Sequence, residues 1–368
     1  MKLLLLLPSN SNAGNMAKQK NLYLFVLILS FFSCNTTSVL TDYGIEKGDE
    51  YFSIAVLPDT QYYTALKHGG TMQMFQNQID WILKNHKKEK IAYVIHLGDI
   101  TDHNIPVEWQ RADKLMSQLD ASGLPYGLAV GNHDQTPNGT PSLGSDTTQY
   151  TRYFGKARFA NRKWYGGSLE NNNNNDTHFD VFSANGEKFL VMYFVFNLSN
   201  YKGYHAEYEQ RMLKWADSVL TAYPDRKSIL VTHAMLGKPQ GSSSSNKPGA
   251  GNNSLEGKFT SQGKNIYEMA KKHENVFMML GGHIAGEGFR KDTFNGNTIK
   301  TYLSDYQSRQ NPPYEKAKDR NGGNGTMRLM RLNKSKQTLS VVTFMPQAGG
   351  RVDFETDEDS RFTEPLYK

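Results

Sequence analysis

Cysteine is almost absent from this sequence of 368 residues, which contains only Cys34. A single cysteine can neither close a disulfide within the chain nor build a thiolate metal cluster. A structural zinc site with several cysteine ligands is therefore excluded. A chain of this length can bury a sizeable core without such support, so ordinary packing must hold the fold.

Apolar runs long enough to cross a membrane are also lacking. The run Leu22–Phe32 is too short, because a membrane-spanning helix needs about 20 apolar residues. Lys18 and Lys20 precede this run and Ser33-Cys34 follows it, which is the pattern of a secretory signal. A small residue before a cysteine, with polar residues after it, resembles the bacterial lipoprotein signal, in which the cysteine is lipidated.

These features predict the domain organisation. Residues 1–34 are predicted to be a signal peptide of lipoprotein type, residues 35–50 a linker, and residues 51–368 one domain. We expect the mature protein to be exported and held at the membrane by a lipid on Cys34, in the periplasm or at the cell surface. An ordinary cleaved signal, giving a secreted or periplasmic soluble protein, is the alternative.

A concentrated basic region is missing as well. The 42 Lys and Arg residues outnumber the 36 Asp and Glu residues by only six. These charges are interleaved along the chain, as on an ordinary solvated surface. Nucleic-acid binding normally requires clustered cations, so nucleic acid is not an expected partner.

From Tyr51 onward, short apolar runs alternate with helical patterns, which indicates a layered α/β domain. Predicted strands cover Phe52–Leu57, Ile91–Leu97, Tyr126–Val130, Phe189–Phe196, Ser228–Val231, Val276–Leu280, Ile299–Leu303, Met327–Leu332 and Leu339–Phe344. Predicted helices cover Met72–His86, Val107–Ala121 and Glu207–Leu220. Two polar segments, 139–175 and 237–263, read as loops that could border a site.

Polar side chains follow five of these strands. They are Asp59-Thr60-Gln61, Gly98-Asp99, Gly131-Asn132-His133-Asp134, Thr232-His233 and Gly281-Gly282-His283. Ligands of α/β sheets bind beyond the carboxyl ends of strands, so one site could collect all five. Carboxylate, amide and imidazole groups together suit iron, manganese or zinc. His96, inside a strand, is expected to be a core residue instead.

In this order, the motifs resemble those of the calcineurin-like metallophosphoesterase family, and Asp-Thr-Gln points to a bacterial, exported branch. The resemblance implies a four-layer αββα sandwich of two mixed β-sheets flanked by helices. It also implies hydrolysis of a phosphomonoester or phosphodiester, on a small phosphorylated substrate, by hydroxide that two divalent metal ions activate. Manganese, iron, zinc and magnesium all remain open as the metal.

The resemblance also implies roles for individual residues. Asp99 would bridge two metals, Asp59 and Gln61 would bind the first metal, and Asn132, His233 and His283 would bind the second. The catalytic residues would be His133, which contacts the phosphate and protonates the leaving group, and Asp134, which orients His133.

Two positions depart from the family pattern, and both concern the first metal. Gln61 replaces one histidine and Ala285 replaces another. Glu287 or His103 could supply a substitute ligand, while Asp305, Tyr306 and Arg309 could line the substrate pocket. The alternative function is an exported lipoprotein with little or no catalysis, which binds a phosphorylated ligand in the same cleft.

Overall fold

The computed structural model describes residues 48–139, 146–239, 257–307, 321–355 and 358–367. These residues all belong to one compact unit. The predicted signal peptide, with Cys34, and most of the predicted linker lie outside the described residues, so both stay predictions. Within the described ranges, none of the helices is long and apolar enough to cross a membrane.

Sixteen strands and seven α-helices make up the described fold. The strands are β1 (Tyr51–Leu57), β2 (Ile91–His96), β3 (Tyr126–Leu128), β4 (Tyr165–Ser168), β5 (His178–Ala184), β6 (Glu187–Phe194), β7 (Lys227–Thr232), β8 (Leu236–Pro239), β9 (Gly257–Phe259), β10 (Val276–Gly281), β11 (Gly286–Phe294), β12 (Asn297–Asp305), β13 (Met327–Asn333), β14 (Thr338–Pro346), β15 (Val352–Phe354) and β16 (Arg361–Pro365). The helices are α1 (Gln61–Ala65), α2 (Met72–Asn85), α3 (Pro106–Ser122), α4 (Thr148–Phe154), α5 (Lys156–Phe159), α6 (Ala206–Ala222) and α7 (Ser261–Ala270).

The first large sheet has the order β15-β14-β13-β1-β2-β3, and β16 also pairs with β14. Strands β1, β2 and β3 are parallel, while β13 runs antiparallel to β1 and β14 antiparallel to β13. The three parallel strands therefore present their carboxyl ends at one edge, and Asp59, Asp99 and Asn132 follow those ends.

The second large sheet has the order β11-β12-β10-β7-β6-β5-β4. Its four central strands, β12, β10, β7 and β6, are parallel, and antiparallel strands flank them on both sides. His233 follows β7, His283 follows β10, and Asp305 ends β12. This sheet therefore also directs several polar groups to one edge.

Alternation along the strands shows that the sheets pack face to face. Phe52, Ile54 and Val56 of β1 share one buried cluster with Phe189 and Val191 of β6. Ala55 and Leu57 of β1 belong to a second cluster with the helices. Successive side chains of a strand point to opposite faces, so both faces of each sheet are covered. The predicted four-layer sandwich of two mixed sheets with outer helices is confirmed.

Local signals explain where the helices begin and end. The Thr71 hydroxyl caps α2 by accepting a bond from the Met74 amide, and the Thr260 hydroxyl caps α7 through Gly263, which satisfies amides at the first turn. Helix α3 has Pro106 at its start and ends at Gly123 in the left-handed region, as helices commonly do.

The prediction that residues 139–175 form only a loop is wrong for much of that segment. Helices α4 and α5 lie within it, and Tyr150, Phe154 and Phe159 are buried in the core. Aromatic residues placed on one side of two short helices fill the core despite the polar composition between them. Of the other predicted loop, residues 240–256 lie outside the described part of the chain.

Candidate metal centre

The structure brings the five strand-end motifs together between the carboxyl edges of the two sheets. One ligand atom from each of Asp99, His233 and His283 lies within 4.8 Å of the other two. The Asp59 carboxylate adjoins this group, because its Oδ2 accepts a bond of 3.4 Å from the amide of His283. Residues from both sheets therefore contribute to one buried polar cluster.

The backbone around Asp99 has an unusual conformation. Gly98 has a φ of 100° and Asp99 a φ of 47°, in the left-handed region that residues other than glycine seldom adopt. A Cβ on Gly98 would lie 2.8 Å from Nδ1 of His233, so glycine is required for the close approach of the two sheets. Such strained positions persist where the surroundings hold them, often at functional sites.

Asp134 holds this loop in place. Its carboxylate accepts bonds from the amides of Gly131, Ile100 and Thr101, at 3.0, 3.1 and 2.9 Å. The prediction that Asp134 orients His133 is wrong, because the carboxylate is directed at these amides and has no bond to His133 among the described residues. Asp134 instead supports the backbone that carries Asp99.

His133 is oriented by a backbone carbonyl. Its Nδ1 lies 2.7 Å from the carbonyl oxygen of Asp102, so Nδ1 carries the proton and donates it. The amide of His133 donates to Oδ1 of Asp99 at 3.0 Å, which places the ring beside the cluster. The side chain is 30% exposed. Its Nε2 is thus the ring nitrogen left to meet a ligand.

His233 and Asn132 each form a hydrogen bond to the backbone through one side-chain atom, which leaves another atom for the second metal. Nδ1 of His233 lies 3.0 Å from the carbonyl oxygen of Leu97, which leaves Nε2 facing Oδ2 of Asp99 at 3.1 Å. The Asn132 amide nitrogen donates to the carbonyl of Gly139 at 3.3 Å, which directs its oxygen inward. Such outer contacts orient ligands and select the histidine tautomer.

Several buried polar atoms in the cluster lack a partner within the described residues. They include Oδ1 of Asp59, Oε1 of Gln61 and Oδ1 of Asn132. These side chains are at most 4% exposed, and a buried polar atom without a hydrogen bond is costly. Within the same ranges, no Lys or Arg pairs with Asp59 or Asp99. The donor atoms therefore fit bound cations.

The charges within the cluster shift its pKa values. Burial acts to raise the pKa of Asp99, but His233 and His133 outweigh it and hold this pKa below its ordinary value. Burial and then Asp305 raise the pKa of Asp59 well above its ordinary value. For His233, burial acts downward, yet Asp99 and Asp59 raise its pKa to about 10. Asp99 and His233 thus stabilise the charged forms of each other.

The proposed substitute ligands do not join the cluster. The Glu287 carboxylate is occupied by Arg328, Tyr306 and Ser360. Nδ1 of His103 lies 2.7 Å from Glu108. Both expectations are therefore wrong: each side chain is committed to a neighbouring charge or hydroxyl.

Two further residues adjoin the cluster, and the strand-end motifs include neither of them. The Tyr201 hydroxyl lies 2.9 Å from Nε2 of His283, and no sequence signal pointed to this contact. Asp305 was considered only as a pocket-lining residue, although it ends a strand as the recognised residues do. Tyr306 faces Glu287, and Arg309 lies outside the described residues. His96 is buried against Thr60, as expected of a core residue.

A family model described as calcineurin-like phosphoesterase matches residues 52–287. The chain belongs to this family. The prediction of the family is thereby confirmed, while membership of the Asp-Thr-Gln branch stays a prediction. This calcineurin-like phosphoesterase is 28% identical over 362 residues to the uncharacterized protein YvnB of Bacillus subtilis, covering 95% of this chain and 24% of YvnB. The chain thus spans about a quarter of the length of that curated relative.

Solved structures with a similar fold include two phosphatases. A dimetal phosphatase from Danio rerio is 15% identical, with a TM-score of 0.49 and coverage of 86% of this chain and 100% of that one. The purple acid phosphatase PPD1 from yellow lupin seeds is 14% identical, with a TM-score of 0.49 and coverage of 87% and 54%. The activities in these names are those of the two neighbours.

Proposed function

We propose that this calcineurin-like phosphoesterase hydrolyses phosphate esters with two divalent metal ions. Asp59, Gln61 and Asp99 would hold the first ion, with Asp99 shared as the bridge to the second. Asn132, His233 and His283 would complete the second position. The single observation that carries this proposal is the set of buried oxygen atoms on Asp59, Gln61 and Asn132 that have no hydrogen-bond partner among the described residues.

The donor set limits which metals fit. The second position would combine two imidazoles with an amide and a carboxylate oxygen, which suits manganese, iron or zinc. The first position would have oxygen donors only, which favours magnesium or manganese. When bound, the ions would neutralise charge on the phosphoryl group and lower the pKa of a water molecule.

His133 is the residue best suited to act on the leaving group. Its Nδ1 is held by the Asp102 carbonyl, so Nε2 is the atom that would deliver a proton to the departing oxygen when the ring carries a proton on both nitrogens. Its amide bond to Asp99 keeps the ring beside the metal ligands. A positioned acid of this kind typically contributes about 10²-fold to 10⁴-fold to a rate. We expect a small phosphorylated substrate, either a monoester or a diester.

The activity test uses the metal-stripped chain. After reconstitution with manganese, iron, zinc or magnesium, we expect release of nitrophenol from nitrophenyl phosphate or bis-nitrophenyl phosphate, with Asp225→Asn as a matched control. Asp225 precedes β7, at the opposite end from His233, and pairs with the exposed Lys188. Tight metal binding without turnover under any ion would contradict hydrolysis and favour the alternative, a cleft that binds a phosphorylated ligand.

We also propose that the protein is exported and anchored to a membrane by a lipid on Cys34. The support is the signal pattern in the sequence alone. In a bacterial host, the full chain should partition with the detergent phase, and Cys34→Ser should move it to the aqueous phase. Equal partition of both forms would contradict anchoring and leave a secreted or periplasmic soluble protein.

A further inference from the structure

The first metal position has too few ligands if only the family motif residues are counted. Ala285 offers no donor atom, so Asp59, Gln61 and the shared Asp99 remain. Three protein ligands would leave the first metal with an open coordination position. The structure contains a further carboxylate at this edge that none of the motifs includes.

Asp305 ends β12, the strand beside the one that precedes His283. Strand β12 runs parallel to β10, and Leu303 lies opposite Gly281. Strand β12 continues for two residues to Asp305, whereas β10 ends at Gly281 and His283 lies two residues beyond its end, so both residues lie at the same edge of the sheet. Strands in a sheet lie about 4.8 Å apart. Asp305 also pairs with Gly286, the residue after Ala285, and thus adjoins the position of the missing histidine.

Hydrogen bonds connect Asp305 to Gln61 through Gln307. The Gln61 amide nitrogen donates to Oε1 of Gln307 at 2.7 Å, and the Gln307 amide nitrogen donates to Oδ2 of Asp305 at 3.0 Å. This chain fixes the orientation of the Gln61 amide. Its oxygen, which has no partner within the described residues, is thereby presented to the cluster as a donor.

Asp305 is a further buried carboxylate at this edge. The residue is fully buried, and no Lys or Arg of the described residues pairs with it. Its Oδ2 is connected through the Gln307 side chain to Gln61, two residues from Asp59. Buried carboxylates require a cation or a proton.

We propose that Asp305 is a ligand of the first metal and replaces the histidine that Ala285 cannot supply. The inference rests on the proposed metal centre and deepens it. The first position would then combine Asp59, Gln61, Asp99 and Asp305, all through oxygen. Such a set binds hard cations, magnesium and manganese, in preference to zinc.

A purely structural role for Asp305 makes a different prediction. Oδ1 of Asp305 accepts a bond of 2.9 Å from the backbone N–H of Gln307. An asparagine side chain can form the same turn. Asp305→Asn therefore keeps the turn, but it removes the charge and the oxygen that accepts from the Gln307 side chain. If the turn were its whole role, this variant would bind metals as the parent does.

The decisive experiment measures manganese binding to the metal-stripped full chain, without substrate. Calorimetric titration and electron paramagnetic resonance should show two ions per chain, coupled through Asp99. In Asp305→Asn, we expect one ion bound with unchanged affinity, the coupled signal lost, and the other affinity reduced at least about 100-fold, since even outer-shell changes cost 10-fold to 100-fold. Asp225→Asn should match the parent.

Two results would overturn the inference. One is Asp305→Asn with both ions at parental affinity, and the other is a parent chain that binds a single ion. Retention of the second ion shows that the variant is folded. Should Asp305→Asn not fold, Asp305→Ser, whose hydroxyl can accept the same backbone bond, takes its place. A parent that binds two ions but hydrolyses no ester contradicts the proposed function alone.

Discussion

The two halves of the proposed metal centre would be built from different atoms and supported in different ways. The second position would have two nitrogen donors. The Leu97 carbonyl contacts Nδ1 of His233, and the Tyr201 hydroxyl contacts Nε2 of His283. The first position has oxygen donors only, and Gln307 is its visible support. Imidazole binds most divalent transition metals more firmly than a neutral amide oxygen. One cluster can therefore combine a firmly bound ion with an exchangeable one.

Asp99 is the residue that both halves share, so its replacement should have the largest effect. Asp99→Asn is expected to weaken both ions and reduce turnover by roughly 10⁴-fold, because several kcal/mol of charge stabilisation would be lost and each 1.36 kcal/mol is tenfold. Elemental analysis and nitrophenol release check this prediction. Two tightly bound ions in this variant would show that Asp99 is not the bridge.

His133 belongs to neither half, and its loss should separate catalysis from metal binding. His133→Ala is expected to reduce turnover by about 10²-fold to 10³-fold, within the range of general acid catalysis. The loss should be greater for an alkyl phosphate than for a nitrophenyl phosphate, whose leaving group needs no proton. Metal content should be unchanged, and a variant that loses metal would assign His133 to ligand support instead.

The supports of the two halves offer a matched pair of milder changes. Tyr201→Phe should weaken the second ion, and Gln307→Ala should weaken the first, each by about 10-fold to 100-fold as outer contacts generally do. Manganese titration of both variants separates the two affinities. If both variants weaken the same ion, Tyr201 and Gln307 do not support separate metal positions.

Metal removal should abolish turnover, but its effect on stability should be the smallest change expected here. A ligand at 100 times its Kd stabilises a folded protein by about 2.7 kcal/mol, so chelation should lower the denaturant midpoint by a corresponding amount. In Asp305→Asn, the loss on chelation should be smaller, because one repelling carboxylate is already neutral. An unchanged midpoint after chelation would show that the cluster does not need cations for folding.

Much of this molecule follows from local sequence. The helix over Met72–Asn85 and the strand over Tyr51–Leu57 end within a residue of their predicted ends, because apolar periodicity and capping residues act over short distances. The strand-end motifs were found for the same reason. Residues that directly follow a buried parallel strand lie at its carboxyl edge whatever the rest of the chain does.

Other features depend on which segments meet in space. Asp134 faces three amides rather than His133, Glu287 is occupied by Arg328, and Gln307 connects Gln61 to Asp305. These contacts join residues far apart in sequence, and no periodicity encodes them. Apolar periodicity predicted a layered α/β domain, and the residues at the strand ends predicted the family. Only the tertiary structure decided which carboxylate is committed and which is free for a cation, because hydrogen-bond partners are set by long-range packing.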